Sequence, residues 1–344
     1  MSDTLLQLTD AGLYCPAGDF YVDPWRPVAR AVVTHAHSDH ARRGSGAYLV
    51  AREGERVFRT RLGEDAPLRP VAYGEIISVN GVDVSLHPAG HILGSAQVRV
   101  AHRGEVWVVS GDYKVEPDRT CAPFEPVRCH TFITESTFGL PVYRWARQEE
   151  VFAQVNGWWR QNQEAGRASI LYGYALGKAQ RLLAGLDPGI GPIFVHGALI
   201  QLTDDYRASG VALPDTRYTG EAERGFDWSR AMVLAPPSAH GTPWMRRFGA
   251  AASGFASGWM RIRGTRRRRA IDRGFTLSDH ADWPGLLGAI RATGAERVWV
   301  THGYTAVLTR WLQEQGYDAA VVQTRFEGEG GGEAEAPAEL DASG

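Results

Sequence analysis

Short apolar runs that stop at polar clusters set the pattern of the first 145 residues. Ala31-Val32-Val33 runs into Thr34-His35-Ala36-His37-Ser38-Asp39-His40. Val82–His87 and Gln97–Val100 flank Pro88-Ala89-Gly90-His91-Ile92-Leu93-Gly94-Ser95. Val106–Val109 ends in Ser110-Gly111-Asp112-Tyr113, and Phe132-Ile133-Thr134 ends in Glu135. Near the C-terminus, Arg297–Val300 leads into Thr301-His302-Gly303. Brief apolar stretches bounded by Gly, Pro, Ser and Asp read as strands. Strand ends on one side of a sheet converge on one cleft, so these His, Asp and Glu residues can meet although they are far apart in sequence.

From about Arg147 the pattern changes. Glu149–Glu164 has helical periodicity, Ala168–Tyr172 reads as a strand, and Leu176–Leu186 as a helix. Pro192–His196 is a strand, Leu199–Ser209 a helix, and Ala231–Ala235 a strand before Pro236-Pro237. Alternating strands and helices imply a parallel sheet. The expected division is 1–145 for the first part of one domain and 146–262 for a small α/β insertion. Residues 263–326 return to the first domain, and 327–344 form a Glu/Gly/Ala tail too polar to fold.

The densest chemistry lies in residues 34–40. His35 and His37 are two apart, and Asp39 and His40 are adjacent. After a strand, that spacing aims two imidazoles at one metal and a carboxylate plus an imidazole at a second. Nitrogen-and-oxygen ligation suits zinc, and also manganese or iron.

The series His35-x-His37-x-Asp39-His40, His91, Asp112, His302 resembles the metallo-β-lactamase superfamily. That resemblance implies an α/β (α+β) fold, an αββα sandwich holding two divalent metal ions, zinc or manganese. It implies His35, His37 and His91 on one ion, Asp39, His40 and His302 on the other, and Asp112 between them. Asp23, after Tyr21-Val22, looks like the family's supporting carboxylate; its plainer reading is a turn residue before Pro24. Fold alone does not give the substrate. Glu135 in Thr134-Glu135-Ser136-Thr137 and His280 in Ser278-Asp279-His280-Ala281-Asp282 resemble motifs of the β-CASP branch, whose members cut nucleic acids under an inserted α/β lid. Tyr14–Asp19, Val22–Pro27 and Leu277–Pro284 look like the bacterial ligase-associated DNA exonucleases, relatives of the Artemis-type repair nucleases.

The resemblance implies a metal-dependent DNA exonuclease in DNA repair, digesting 5′ to 3′, on single strands or duplex ends, beside a ligase and helicase. Asp39 and Asp112 would act through the metals. His280 would give a proton to the leaving oxygen, oriented and kept protonated by Glu135. Plainer roles are a helix-start residue for His280 and a structural carboxylate for Glu135. An RNA-processing nuclease and a non-catalytic DNA-end-binding scaffold are the rival readings.

Composition adds limits. The chain has 344 residues, 44% of them hydrophobic, enough for a large core. Its net charge of −2 conceals a basic body, because the tail from Glu327 holds five Glu, one Asp and no Lys or Arg. Cys15, Cys121 and Cys129 lack CxxC spacing and read as free thiols. With no visible signal peptide and no apolar run near the ~20 residues that span a bilayer, a cytoplasmic, nucleoid-associated activity without membrane contact is expected. Two further features bear on DNA. Gly177-Lys178 leads from a strand into a helix, whose N-terminus attracts phosphate, so Lys178 is a candidate backbone contact beside the bland reading of a helix start. Arg261, Arg263 and Arg266–Arg269 form a basic run suited to a phosphate backbone or simply to solvent. Trp158 and Trp159 read as helix packing.

Overall fold

In the computed structural model, residues 4–262 and 271–324 are described. The short apolar runs pair into three sheets. The first has six strands in chain order, Gln7–Thr9, Gly12–Cys15, Phe20–Val22, Ala31–Val32, Tyr48–Ala51 and Leu68–Val71. The second runs Asp318–Val321, Arg297–Gly303, Thr131–Ser136, Glu105–Val109, Ala96–His102, Val82–Pro88, Ile77–Val79. These two sheets face each other across one core, in which Leu13, Val22, Val32 and Leu49 meet Val84, Leu86, Val98, Trp107 and Ile133.

Helices cover both outer faces. Glu55–Leu62 lies on the first sheet and buries Val57 and Phe58 against Val33 and Val50. Trp283–Thr293 and Thr305–Glu314 lie on the second sheet and bury Leu286, Ile290, Leu308 and Leu312 against Phe132, Val298 and Val300. Layered helix–sheet–sheet–helix, this is the αββα metallo-β-lactamase sandwich with an inserted α/β lid. Asp282 starts the first of the two outer helices by accepting from the Gly285 N–H at 2.9 Å, just before Pro284 and just after His280.

The third sheet is all parallel, in the order Arg217–Tyr218, Ile193–Val195, Met232–Ala235, Ala168–Tyr172, Ala251–Ala256, Arg273–Phe275. The helices Gln148–Glu164, Lys178–Gly185 and Gly197–Ala208 accompany it. Trp158 and Trp159 are buried in this unit, Trp158 against Phe275 at 5.5 Å between ring centroids, which is the packing role the helical pattern indicates. The expected lid ended at 262. Arg273–Phe275 nevertheless pairs with Gly254–Ala256 as the sixth strand, because Phe275 and Leu277 complete the lid's core. The lid touches the sandwich through Leu176, Leu202 and Tyr206, which pack with Val57, Phe58 and Ile92.

Arg263, the run Arg266–Arg269 and the tail 327–344 lie outside the described residues. Among the described residues, no helix is long and apolar enough to cross a membrane. Cys15, Cys121 and Cys129 are free thiols.

Because Phe275 is 1% exposed and closes the lid's core, Phe275→Ala should destabilise the lid by about 3–5 kcal/mol. Urea unfolding followed by tryptophan fluorescence reads this, and a loss below about 1 kcal/mol would remove Phe275 from that core.

Candidate metal centre

Three adjacent parallel strands deliver the first part of the site. Glu105–Val109, Thr131–Ser136 and Arg297–Gly303 run side by side in one direction. Their ends bring Asp112, Glu135 and His302 to one edge, strands being about 4.8 Å apart. Ala31–Val32 of the facing sheet ends at the same opening and supplies residues 34–40. His91 comes from the turn between Val82–Pro88 and Ala96–His102.

Backbone strain at these ends is local and purposeful. Asp23 and His302 both have left-handed backbones, with φ of 45° and 51°. The Ser136 hydroxyl donates to the carbonyls of Thr301 and His302 at 3.1 and 2.6 Å and holds that turn. Gly111 has φ of 56°, and a Cβ there would stand 2.6 Å from Thr34 Cβ, so only glycine lets the Asp112 turn approach Thr34.

Four donor atoms converge. His37 Nδ1 is 3.1 Å from both His35 Nε2 and His91 Nε2. Asp112 Oδ2 is 3.5 Å from His35 Nε2 and 3.8 Å from His91 Nε2. A tetrahedral zinc with bonds of 2.0–2.1 Å has ligand–ligand edges of roughly 3.3 Å, so this set fits one ion. The imidazoles are fully or almost fully buried. Burial, with mutual repulsion, holds His35 and His91 well below the ordinary histidine range. Burial also pulls His37 down to about 4, against the opposing pull of Asp39 and Asp279. Three neutral imidazoles with free lone pairs are what a divalent cation needs.

A second set adjoins the first. The same Asp112 Oδ2 lies 3.8 Å from His40 Nε2, and His40 Nε2 lies 3.7 Å from Asp39 Oδ2. Asp112 thus stands between two groups of donors. Burial raises its carboxyl to about 6, with Glu135 adding to the effect, which leaves it ionised at neutral pH. Burial would depress His40, but Asp39, Asp23 and Asp112 outweigh that and push it up to about 10. His302 lines the same small cavity, about 20 Å³, as His40, Asp112 and Glu135.

Each ligand-type imidazole of residues 35–91 has its other nitrogen engaged. His40 Nδ1 donates to Asp23 Oδ2 at 2.7 Å, His91 Nδ1 to the Asp279 carbonyl at 2.8 Å, and His37 Nε2 to the Leu176 carbonyl at 3.3 Å. His35 Nδ1 meets Thr34 Oγ1 at 3.0 Å. Such outer partners set tautomer and ring orientation. Asp23 also accepts from the Thr34 N–H at 2.8 Å and the Thr34 hydroxyl at 2.6 Å, so one buried carboxylate secures the whole ligand loop.

Beside the donor sets stands an acid–imidazole pair. Both oxygens of Glu135 lie 3.0 Å from His280 Nδ1. Glu135 further accepts from the Tyr113 N–H at 2.7 Å and from the Thr137 hydroxyl. Burial would raise the Glu135 carboxyl, yet the His280 charge and these hydrogen bonds hold it low. Burial would lower His280, yet Glu135 and Asp112 raise it to about 9. The His280 ring sits 4.7 Å from His91, and its side chain is 16% exposed at the cleft.

One expected contact is overturned. Lys178 begins its helix, but its side chain is 2% exposed, and Nζ is bonded to Asp279 Oδ1 at 2.5 Å and the Leu277 carbonyl at 3.2 Å. The Gly177 N–H already donates to Gln180 Oε1 at 2.8 Å. A phosphate cannot reach this cation, which neutralises Asp279 instead. Arg261, by contrast, is exposed, with Nε donating to the Val142 carbonyl at 3.3 Å. Sequence reasoning missed Thr34, Asp279 and Arg181. Arg181 is 1% exposed and donates to the carbonyls of His91 and Ser278 at 2.9 and 3.0 Å. Ser or Thr before a ligand histidine is a usable signal for Thr34; nothing local marks Arg181. His87, His102, His130 and His196 make bonds of their own with Ser85, Gly81, Val106 and Ala198, away from the donor sets.

No family model matches the chain. A protein described as a probable DNA ligase, from Opitutus terrae, is 31% identical over 312 residues, 90% of this chain and 30% of that protein. Endoribonuclease YSH1 of Saccharomyces cerevisiae is 31% identical over 124 residues, 35% of this chain and 15% of that protein. Cleavage and polyadenylation specificity factor subunit 3 of Dictyostelium discoideum is 32% identical over 124 residues, 35% of this chain and 16% of that protein. The chain therefore spans less than a third of the length of these relatives. A solved structure from Enterococcus faecalis, of a protein of unknown function, superposes with a TM-score of 0.59 at 12% identity, over 87% of this chain and 80% of that one. The relatives support the metallo-β-lactamase fold family, with β-CASP nucleases matching part of the chain, and leave the branch open.

Asp23→Asn would turn an amide N–H₂ toward donors it now accepts from. Affinity for one of two bound cations should fall about 10–100-fold. Elemental analysis after dialysis against graded chelator reads this, and two tightly held ions in the variant would deny Asp23 its supporting role.

Proposed function

We propose that the chain is a metal-dependent phosphodiesterase acting on nucleic acid, and specifically a DNA exonuclease of the β-CASP type that serves DNA repair. The observation that carries the reading is the four-donor cluster of His35, His37, His91 and Asp112 beside the Glu135–His280 pair. A small-molecule hydrolase has no need of that pair under a domain-sized lid. DNA is favoured because the similarity that covers most of the chain is to a protein described as a probable DNA ligase. RNA is the second reading, favoured by the endoribonuclease similarity over about a third of the chain. A non-catalytic end-binding scaffold fits less well, since every ligand type expected from the sequence is present.

Two divalent ions, zinc or manganese, would be held by His35, His37, His91 and Asp112 and by Asp39, His40, His302 and Asp112. When bound, they activate water and offset charge on a phosphate in the transition state. The chain's own residues do the rest. Asp112 keeps the two donor sets in register through one oxygen. Glu135 occupies His280 Nδ1, so Nε2–H is the proton that faces the cleft. At neutral pH His280 is held protonated, ready to give that proton to the leaving sugar oxygen. The lid contributes the Leu176 carbonyl to His37. A 5′-to-3′ direction follows from the sequence resemblance, and the buried Lys178, paired with Asp279, adds no phosphate contact to it.

Asp112→Asn should abolish cleavage of a labelled oligonucleotide while the protein still folds. His280→Ala should slow cleavage about 10²–10⁴-fold with metal content unchanged, the range for a lost general acid. Wild-type turnover in a folded Asp112→Asn variant would refute the assignment. Loss of an ion in His280→Ala would move His280 into the ligand set.

Paired ribo- and deoxyribo-oligonucleotides of one sequence, labelled at the 5′ or 3′ end, decide polymer and polarity. Early release of a 5′-labelled mononucleotide from DNA is expected. Release from the 3′ end would reverse the polarity, and cleavage of RNA alone would establish the second reading.

A further inference from the structure

A group of aromatic rings borders the cleft on the side of His280 and His302, and no step above uses it. Phe138, Tyr143 and Trp145 come from the segment after Thr131–Ser136, and Trp259 comes from the lid's Gly258–Arg261 turn. Tyr304 follows directly on His302-Gly303. Phe138 and Tyr143 are buried and form the floor. Phe138 contacts Tyr143, Trp145 and Trp259 at 4.7, 4.8 and 4.7 Å between centroids. A Cβ at position 258 would collide with the Phe138 ring, so glycine there seats the lid turn on the floor. The floor reaches the reacting groups. Trp145 Nε1 donates to the His280 carbonyl at 3.0 Å, and the Phe138 ring lies 6.0 Å from the His280 ring.

Above this floor Trp259 and Tyr304 are half-buried, their centroids 6.3 Å apart and their planes tilted by 55°. Tyr304 is steadied by the Tyr143 hydroxyl at 3.4 Å and by its own N–H on the Ser136 carbonyl. Beside them Val142 is 49% exposed, an apolar side chain left to water at the mouth of a polar cleft. Arg261 bonds to the Val142 carbonyl and is itself exposed, as is Arg144 between Tyr143 and Trp145. Aromatic faces flanked by guanidinium groups match a single nucleotide: a flat base on the rings and a phosphate on the cations. A second copy of this chain would have to meet that same mixture with a complementary anionic and planar surface.

We infer that Trp259 and Tyr304 form a stacking site for the base next to the scissile phosphate, with Arg261 on the neighbouring backbone phosphate. This rests on the nuclease reading and adds a subsite to it. Because every base has a π-face, the site holds a strand in place without choosing its sequence. It takes a base from an unpaired strand, since a base within a duplex has both faces covered.

The test uses the metal-loaded protein and whichever of a deoxy- or ribo-oligonucleotide the wild type cuts. One abasic nucleotide is walked along the strand. Stacking is worth about 1–3 kcal/mol per base, or roughly 5–150-fold. In the wild type, one abasic position beside the cut bond should raise KM by about tenfold, within that range. Trp259→Ala should raise KM for the intact strand by a similar factor, with kcat within about twofold, and should erase the abasic penalty. Trp259→Phe should restore most of both. Tyr304→Ala should act in the same direction with metal content unchanged.

An abasic penalty of the same size in wild type and Trp259→Ala would overturn the inference and leave the nuclease reading standing. So would an unchanged KM in a folded Trp259→Ala protein, or a wild-type dimer in sedimentation that Trp259→Ala splits without any change in KM. A wild type that cuts neither polymer would overturn the nuclease reading, and the stacking site with it.

Discussion

One buried guanidinium ties the lid to the donor loops. Arg181 belongs to the lid helix Lys178–Gly185, yet its Nε lies on Asp118 of the sandwich at 2.9 Å. Its two terminal nitrogens bond the carbonyls of His91 and Ser278. Taking such a charge out of water is expensive unless every donor finds a partner, and removing one partner of a buried pair costs about 3–5 kcal/mol. Arg181 makes its three bonds only when three segments are in place: the His91 turn, the segment leading to His280, and the loop carrying Asp118. Lys178 and Asp279 repeat the arrangement one helical turn earlier, and the Asp279 carbonyl accepts from His91 Nδ1. The lid is therefore part of the structure that orients the donors, as well as a cover over them.

Topology explains why residues so distant in sequence form one site. Parallel neighbours end at the same edge of a sheet, so Asp112, Glu135 and His302 arrive side by side. Antiparallel strands would have sent alternate residues to opposite edges. The turn geometry at those edges is unfavourable for ordinary residues, as the left-handed backbones of Asp23 and His302 show. Such conformations cost on the order of 1–3 kcal/mol each and persist where neighbours over-determine them. Three hydrogen bonds on Asp23, and the Ser136 hydroxyl on the 301–302 turn, supply that determination.

Much of this was legible in the sequence because it is local. An apolar run followed by His or Asp states both a strand and where its functional end lies. The helical period of 149–164 matches the helix Gln148–Glu164, and the lid strands at 168–172 and 231–235 fall within a residue of their expected limits. What failed depends on partners far along the chain. Gly177-Lys178 does start a helix, but whether its cation meets solvent or a carboxylate is settled by Asp279, on a different strand end. Arg181, between Gln180 and Leu182, has nothing in its neighbours to distinguish it from an ordinary exposed arginine. The lid's last strand, Arg273–Phe275, is three residues long, too short a run for its own sequence to state which sheet it joins. Its pairing with Gly254–Ala256 and the packing of Phe275 on Trp158 assign it.

The hydrogen bonds behind the imidazoles account for the choice of ring nitrogen at each position. His37 has Nε2 on the Leu176 carbonyl and turns Nδ1 toward the donor cluster, whereas His91 has Nδ1 engaged and turns Nε2 inward. A carbonyl accepts only from N–H, so each bond leaves the opposite nitrogen as a lone pair aimed at the cluster. Burial then keeps these rings neutral. The lid again enters, because Leu176 lies on it. His280 shows the opposite use of the same device: its backing group is the Glu135 carboxylate, which favours the imidazolium and leaves Nε2 as a donor. With neutral carbonyls behind His37 and His91 and a carboxylate behind His280, a single residue type serves two roles, the His91 and His280 rings standing 4.7 Å apart.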